Sequence, residues 1–151
     1  MTIESMDRQE RIKTVTAKLA AAGHRISPQR AFILKSLMMA PSHPSAEEIY
    51  SVVLEKFPNA SLATVYKTID ALKEIDEIRL VTIAAGRGHY DAVNPTNHPH
   101  VVCTKCGRTE DVTIDFLPSQ AQVAAVRSGF SILEERVQFL GLCPTCLPDA
   151  R

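Results

Sequence analysis

The sequence carries no net charge: 17 lysines and arginines face 17 aspartates and glutamates over 151 residues. The balance also holds locally, with 12 basic against 11 acidic residues in positions 1–94 and 5 against 6 in positions 95–151. Bulk charge therefore gives no support for a nucleic-acid partner, and any such role must rest on local pattern. No apolar run approaches the ~18 residues of a membrane-spanning helix. The opening "MTIESMDRQERIK" is charged and lacks the apolar core of a secretory signal, so a cytoplasmic address is expected. Internal repeats and low-complexity tracts are missing as well. What remains is ordinary for a globular chain, 45% apolar and 23% charged, with room for one or two small domains.

The first half is rich in helix signals. Residues 8–22 place Ile12, Val15, Leu19 and Ala22 at helical spacing, and Gly23 follows as a stop. Ser27 and Pro28 form an N-cap and first turn before "QRAFILKSLMMA". Ser45 and Glu48 have capping-box spacing ahead of a third helix that Pro58 closes. Ser61 opens a fourth, in which Leu62, Val65, Ile69 and Leu72 make one apolar stripe. The period then changes. "EIRLVTIAA" and "HYDAV" read as two short strands turning at Gly86-Arg87-Gly88. This order is that of a winged helix-turn-helix. The polar face of the fourth helix offers Ser61, Thr64, Tyr66 and Lys67. Such groups suit phosphates and base edges, although a merely solvated face has the same pattern.

"NPTNHP", at 94–99, reads as a linker. Beyond it "HVVC", "EDVTI" and "SILEERVQFLGLC" read as strands and "PSQAQVAAVRSG" as a helix. The expected fold is α+β: a winged-helix domain over 1–93, a hinge at 94–98 and a small α/β domain over 99–151. A unit that small often needs a metal or a partner chain to stay folded.

Cys103-x-x-Cys106-Gly107 and Cys143-x-x-Cys146 are two metal knuckles. The short spacing converges two thiolates on one ion, and Gly107 permits the left-handed residue of the turn. Together they supply four sulfurs, a closed tetrahedral shell for structural zinc; four free thiols or a redox pair are the alternative. His98-x-His100 places both imidazoles on one side of an extended chain. Asp91 precedes them by seven residues, and Asp111 sits in the next strand, able to return beside His100. His43 is remote, and a lone histidine before a helix is more often a surface group. Three histidines and two aspartates would suit Fe(II), Mn(II) or, less selectively, Zn(II), leaving one octahedral position open.

"HRISPQR", "HPSAEEIY", "SLATVYKTIDAL", "HYDAV", "HPHVVCTKCG", "EDVTI" and "FLGLCPTC" follow one another in a fixed order. In that order, across about residues 10–147, the chain resembles the ferric uptake regulator family of metal-dependent repressors. It looks most like the peroxide-regulator branch. The resemblance implies a regulatory Fe(II) or Mn(II) site on His43, Asp91, His98, His100 and Asp111, with Asp111, where iron-uptake members usually carry Glu, making bound iron peroxide-sensitive. It implies structural zinc on the four cysteines. The extra histidine and acid site of iron-uptake members is missing, its positions being Asn97, Pro99, Pro118 and Glu135. The loop from Asp91 to His98 is one residue longer than in the peroxide branch and matches iron-uptake spacing. DNA contacts are expected from Arg25 and Arg30 besides Ser61, Thr64, Tyr66 and Lys67.

The implied mechanism is that of a homodimeric repressor on a palindromic operator, with neither a membrane nor an organic cofactor. The regulatory metal joins the two halves and fixes the recognition helices. Peroxide reacting at Fe(II) oxidises His98 or His43, and the operator is released. An iron- or zinc-responsive uptake repressor on the same fold is the alternative. A metallohydrolase is disfavoured because five ligands leave little room for both water and substrate. A zinc-stapled adaptor without a DNA role is favoured only by the neutral charge.

Overall fold

The caps anticipated from sequence open three of the helices. The computed structural model describes residues 3–114 and 120–148, and within them α1 spans Ile3–Ala21, α2 Pro28–Met39, α3 Ala46–Lys56 and α4 Leu62–Glu74. The Ser27 hydroxyl accepts from Arg30 N, with Pro28 in the first turn. Ser45 and Glu48 complete a reciprocal capping box on α3, and Ser61 accepts from Thr64 N to start α4. Helix α1 begins before the expected Arg8. It ends in a Schellman motif: Gly23 N donates to Ala20 O, His24 N to Leu19 O, and Gly23 holds φ +89°.

One apolar core joins these helices. All its buried members, among them Val15, Leu19, Ile33, Leu34, Leu37, Met38, Val53, Val65, Ile69 and Leu72, lie between Val15 and Ala92. Ala22, assigned to the α1 stripe from its spacing, is exposed in the turn instead. The wing follows as an antiparallel hairpin of β1 (Arg79–Ala84) and β2 (Arg87–Asp91). Its turn sits at Ala85-Gly86, both with positive φ (51° and 73°), the type I′ geometry that matches strand twist. The sequence pattern places the turn at Gly86-Arg87-Gly88, one to two residues later; Arg87 and Gly88 in fact pair with Ala84 and Ile83. A bridge between Ser45 and His89 and a bond from Tyr90 N to Pro44 O (3.0 Å) fasten β2 to the start of α3.

The second half is a three-stranded sheet, ordered β4-β3-β5, of β3 (His100–Cys103), β4 (Thr109–Asp111) and β5 (Gln138–Gly141). α5 (Gln120–Ser128) lies between β4 and β5 in sequence. The strand expected over 131–143 is regular only at Gln138–Gly141. Before it, Glu134 pairs with Arg79 and with Arg136, and Glu135 accepts from Ala121 N at the start of α5. Those residues serve side-chain contacts rather than a ladder. β5 is an edge strand, exposed along its length, and Phe130 (74%), Leu133 (96%) and Leu140 (69%) are open.

The halves touch directly. A bulge between Leu80 and Thr82 interrupts the wing ladder, and Val81 O accepts from Gln138 Nε2 at 2.7 Å. Within the first half, Arg11 donates to Ala92 O at 2.8 Å and pairs with the buried Glu77 at 3.0 Å, tying α1 to the end of the wing. No helix among the described residues is long and apolar enough to cross a membrane.

Candidate metal centres

The antiparallel register of β3 and β4 sets His100 directly opposite Asp111. One residue ahead of β3, Pro99 O accepts from Val112 N, which holds the incoming chain beside β4. The His98 ring thereby reaches the same side as His100, with ring centroids 4.4 Å apart. Asp91 ends β2. Its Oδ1 accepts from Val93 N (2.8 Å) and Asn94 N (2.9 Å). This Asx-type turn ends the strand there, short of the expected "HYDAV", and leaves Oδ2 facing the histidines. His43 arrives from the loop before α3, tied by its N–H to Thr109 O at 3.0 Å.

The five residues expected from sequence therefore meet. His43, Asp91, His98, His100 and Asp111 each offer one ligand atom, all within 4.8 Å of one another. Asp111 Oδ1 is 2.5 Å from His43 Nε2, 2.7 Å from His98 Nε2 and 3.3 Å from His100 Nε2. Asp91 Oδ2 is 3.4 Å from His98 Nε2. The His98 Nδ1–H donates to Thr96 O at 2.9 Å, which fixes the ring orientation that turns Nε2 inward.

The donor set fits a divalent cation. Asp91 Oδ2 and His100 Nε2 are buried without a hydrogen-bond partner. Leaving such atoms unsatisfied is unfavourable by ~1–3 kcal/mol each, and a cation between them would satisfy both. Burial, reinforced by His98 and His43, pushes the His100 imidazole down to about 4. It is thus neutral and ligand-ready at pH 7. Burial alone would raise the Asp111 carboxyl; hydrogen bonds from His43 and His98 outweigh it and hold the group below its ordinary range.

The four cysteines converge separately. Their sulfurs lie within 4.8 Å of one another, with Cys106 Sγ and Cys143 Sγ 3.8 Å apart. A tetrahedron of ~2.3 Å Zn–S bonds has edges of about 3.8 Å. Gly107, at φ +80°, makes the turn after Cys106, and its N–H donates to Cys103 O. Backbone N–H groups of Cys106 and Cys143 hold the Cys103 thiol down to about 6, whereas a hydrogen bond with the Cys143 thiol, burial and the remaining sulfurs push Cys146 up to about 12. Four sulfurs arranged to share protons in this way are positioned to form one metal site.

The chain belongs to the ferric uptake regulator family. The model of that family matches residues 21–140. Over 144 residues the chain is 35% identical to the peroxide-responsive repressor PerR of Staphylococcus epidermidis, covering 95% of this chain and 94% of that one. The PerR of Staphylococcus aureus is 32% identical over 146 residues, 97% and 98% of the two chains. Among solved structures, the ferric uptake regulator Fur of Helicobacter pylori shares the fold at TM-score 0.75 and 18% identity, covering 93% of each chain. PerR of Streptococcus pyogenes matches at TM-score 0.51 and 28% identity, over 89% of this chain and 92% of that one.

The expected DNA-contact residues are less free than the sequence suggested. The Ser61 hydroxyl is committed to capping α4 and lies 2.9 Å from Thr64 Oγ1. Tyr66 donates to Glu47 Oε1 at 2.9 Å. Arg30 donates to Arg25 O at 2.7 Å. Lys67 is exposed. Of the positions of the missing extra site, Asn97 donates to Glu135 O, and Pro118 lies outside the described residues. Three contributors escaped sequence reasoning: Glu47, His89 and Thr109. Their roles come from contacts with residues far along the chain, which no local motif announces.

Proposed function

We propose that this protein is a metal-dependent DNA-binding repressor that senses hydrogen peroxide. The observation that carries this reading is the five-atom cage itself, drawn from both halves of the chain and holding two buried, unpartnered ligand atoms. Its composition suits Fe(II) or Mn(II), while the four cysteines suit structural zinc. The likeness to the staphylococcal PerR proteins supports the peroxide-sensing branch.

In this reading His43 belongs to a DNA-binding domain of residues 1–93, His100 and Asp111 to a dimerisation domain of residues 99–151, with a hinge at 94–98. Asp91 lies just before that hinge, and His98 is its last residue. Holding all five on one centre restrains the hinge and sets the spacing of the two α4 helices of a homodimer across a palindromic operator. Affinities for metal and operator are then reciprocally coupled, typically by ~1–3 kcal/mol. The exposed edge of β5 and the open Leu133 and Leu140 fit a chain that pairs with a second copy.

Fe(II) held by the cage would supply the redox chemistry for a net change in which one peroxide oxygen is inserted at a ring C–H of His98 or His43, the ring losing two electrons, while the other oxygen leaves as water. The altered ring is a poorer donor, so the cage loosens and the operator is released. Arg25, Arg30, Ser61, Thr64, Tyr66 and Lys67 are assigned to DNA contact, with Ser61 capping the helix that carries the others on α4.

A second reading, an iron- or zinc-responsive uptake repressor, is favoured by the length of the Asp91-to-His98 loop. One experiment separates the two. Protein purified without oxygen is loaded with Fe(II), Mn(II) or Zn(II), pulsed with peroxide, then assayed for operator binding and for peptide mass. Peroxide sensing requires release of DNA by the iron form alone, with an added oxygen atom on His98 or His43. Release governed by metal identity, with no added mass, establishes the uptake reading.

A further inference from the structure

Four of the five histidines have an account: three in the cage, and His24 paired with Glu74 at 2.8 Å at the surface. His89 does not. It is 3% exposed, sits two residues before Asp91 on β2, and is no member of the cage. Its Nδ1 lies 2.9 Å from His43 O. A carbonyl oxygen only accepts, so Nδ1 carries a proton and donates. The other side of the ring faces Gly107, where a Cβ would come within 3.0 Å of Nε2.

These contacts close a ring. Thr109 Oγ1 donates to Gly107 O at 2.9 Å. The His43 N–H donates to Thr109 O at 3.0 Å. His43 O accepts from His89, and His89 lies against Gly107. Two members come from the first half of the chain and two from the second. Gly107 directly follows Cys106, so one end of the ring is the turn of the sulfur knuckle and the other is the backbone of a cage ligand. Both polar groups of the His43 peptide are used, and this restrains its backbone on the path that aims its ring at Asp111.

We propose that His89 is a positioning residue that locks His43 into the regulatory cage and couples that cage to the cysteine knuckle through Thr109 and Gly107. This rests on the cage reading above. The coupling is mechanical: a disturbed Cys103-x-x-Cys106 turn moves Gly107, and with it the two groups that hold His43. Orienting partners of metal ligands typically contribute ~10–100-fold in affinity.

The test measures Mn(II) affinity by titration calorimetry, together with zinc content per chain, for zinc-loaded protein. His89→Phe fills the space without the donor and is expected to bind Mn(II) at least about ten-fold more weakly at unchanged zinc content. His89→Asn, whose amide can take the place of Nδ1–H, is expected to recover most of that loss. Wild-type affinity in His89→Phe overturns the proposal, as does an Asn variant no better than the Phe variant, which would make His89 a packing group. Should His89→Phe fail to fold, Thr109→Val opens the same ring at Gly107 O and is held to the same ten-fold criterion. His43→Ala serves as the control: wild-type Mn(II) affinity there overturns the cage itself, whereas a weakened control beside an unaffected His89→Phe overturns only the positioning role.

Discussion

His43 Nε2 and Asp111 Oδ1, 68 residues apart in the chain, lie 2.5 Å from each other. One comes from the loop between α2 and α3, the other from a strand of the second sheet. The contact alone shows that both halves contribute to a single polar centre. A lone imidazole–carboxylate pair would be weak evidence, since such pairs occur at many surfaces. Here the same carboxylate oxygen also meets His98 at 2.7 Å, and two further buried donors converge on the spot without partners of their own.

Removal of His43 should separate the cage from the helices. His43→Ala deletes one of the five proposed ligands and leaves the other four in place. Mn(II) affinity should fall by more than the ~10–100-fold typical of losing an orienting partner, and metal-dependent operator binding should be lost with it. Zinc content should stay the same, because the sulfur site shares no ligand with the cage. Metal analysis with fluorescence anisotropy on operator DNA checks both.

Asp111→Glu addresses the chemistry rather than the clamp. Asp111 Oδ1 sits within 3.3 Å of all three cage histidines, so one added methylene must shift that oxygen or the strand beneath it. In the proposed site the longer carboxylate should still reach the cation but leave the reacting groups out of line; a ~1 Å misplacement commonly lowers a rate by on the order of 100-fold. The variant should keep Mn(II)-dependent DNA binding, while oxygen addition to His98 or His43 in its Fe(II) form slows at least about ten-fold. Peptide mass spectra across a peroxide time course provide the measurement.

His100 predicts a pH dependence with a definite sign. Its imidazole, pushed down to about 4 by burial, binds a proton less readily in the folded chain than in the unfolded one, where the ordinary value is ~6.5. Between those values the unfolded state holds more protons, so this residue makes stability rise with pH. Its contribution is complete above about 6.5 and is lost as pH falls toward 4. Denaturation of wild type and His100→Gln across that range isolates the effect. Their stability difference should shrink as pH drops, and a difference that grows instead would contradict a buried neutral ring.

Much of this architecture could be read from short-range signals. Ser27, Ser45 and Ser61 announce helix starts because capping is settled within three residues. The two C-x-x-C units announce a metal for the same reason. Asp111 could be placed beside His100 because a short turn between adjacent strands fixes who faces whom. His43 was the weaker inference, since a single histidine before a helix has no local partner and only the family resemblance drew it into the set. His89 and Glu47 left no trace, because their partners, His43 O and the Tyr66 hydroxyl, are tertiary neighbours. The hairpin turn was misplaced because Gly86 and Gly88 both look like turn residues, while Ala85 at φ 51° has no sequence signature.

The sulfur site should hold the second half of the chain together. Among the described residues that half contributes no member to the main apolar core, which ends at Ala92, and a unit of this size commonly depends on a metal. Structural zinc contributes on the order of 10 kcal/mol of folding free energy. Cys143→Ser should lose the zinc, lower the midpoint of thermal unfolding sharply and shift the chain toward monomer in sedimentation. Because Gly107 borders the knuckle and braces His43, regulatory Mn(II) binding should weaken too, although no cage ligand has been changed.

Lys67 distinguishes a phosphate contact from a base contact. It is exposed on α4 beside Tyr66, whose hydroxyl is held by Glu47, and the chain has no net charge to attract DNA from a distance. Binding must therefore depend on a few placed cations, each releasing counterions when it meets a phosphate. Each such contact contributes about −0.9 to the slope of log affinity against log salt. If Lys67 meets a phosphate, Lys67→Ala should flatten the slope by about 0.9 per subunit and weaken all sequences alike. If it reads a base, the slope should hold while one operator position loses its preference, by ~1–3 kcal/mol. Salt titrations on the native operator and on single-position variants separate the two. A variant with unchanged affinity, slope and preference would remove Lys67 from the interface altogether.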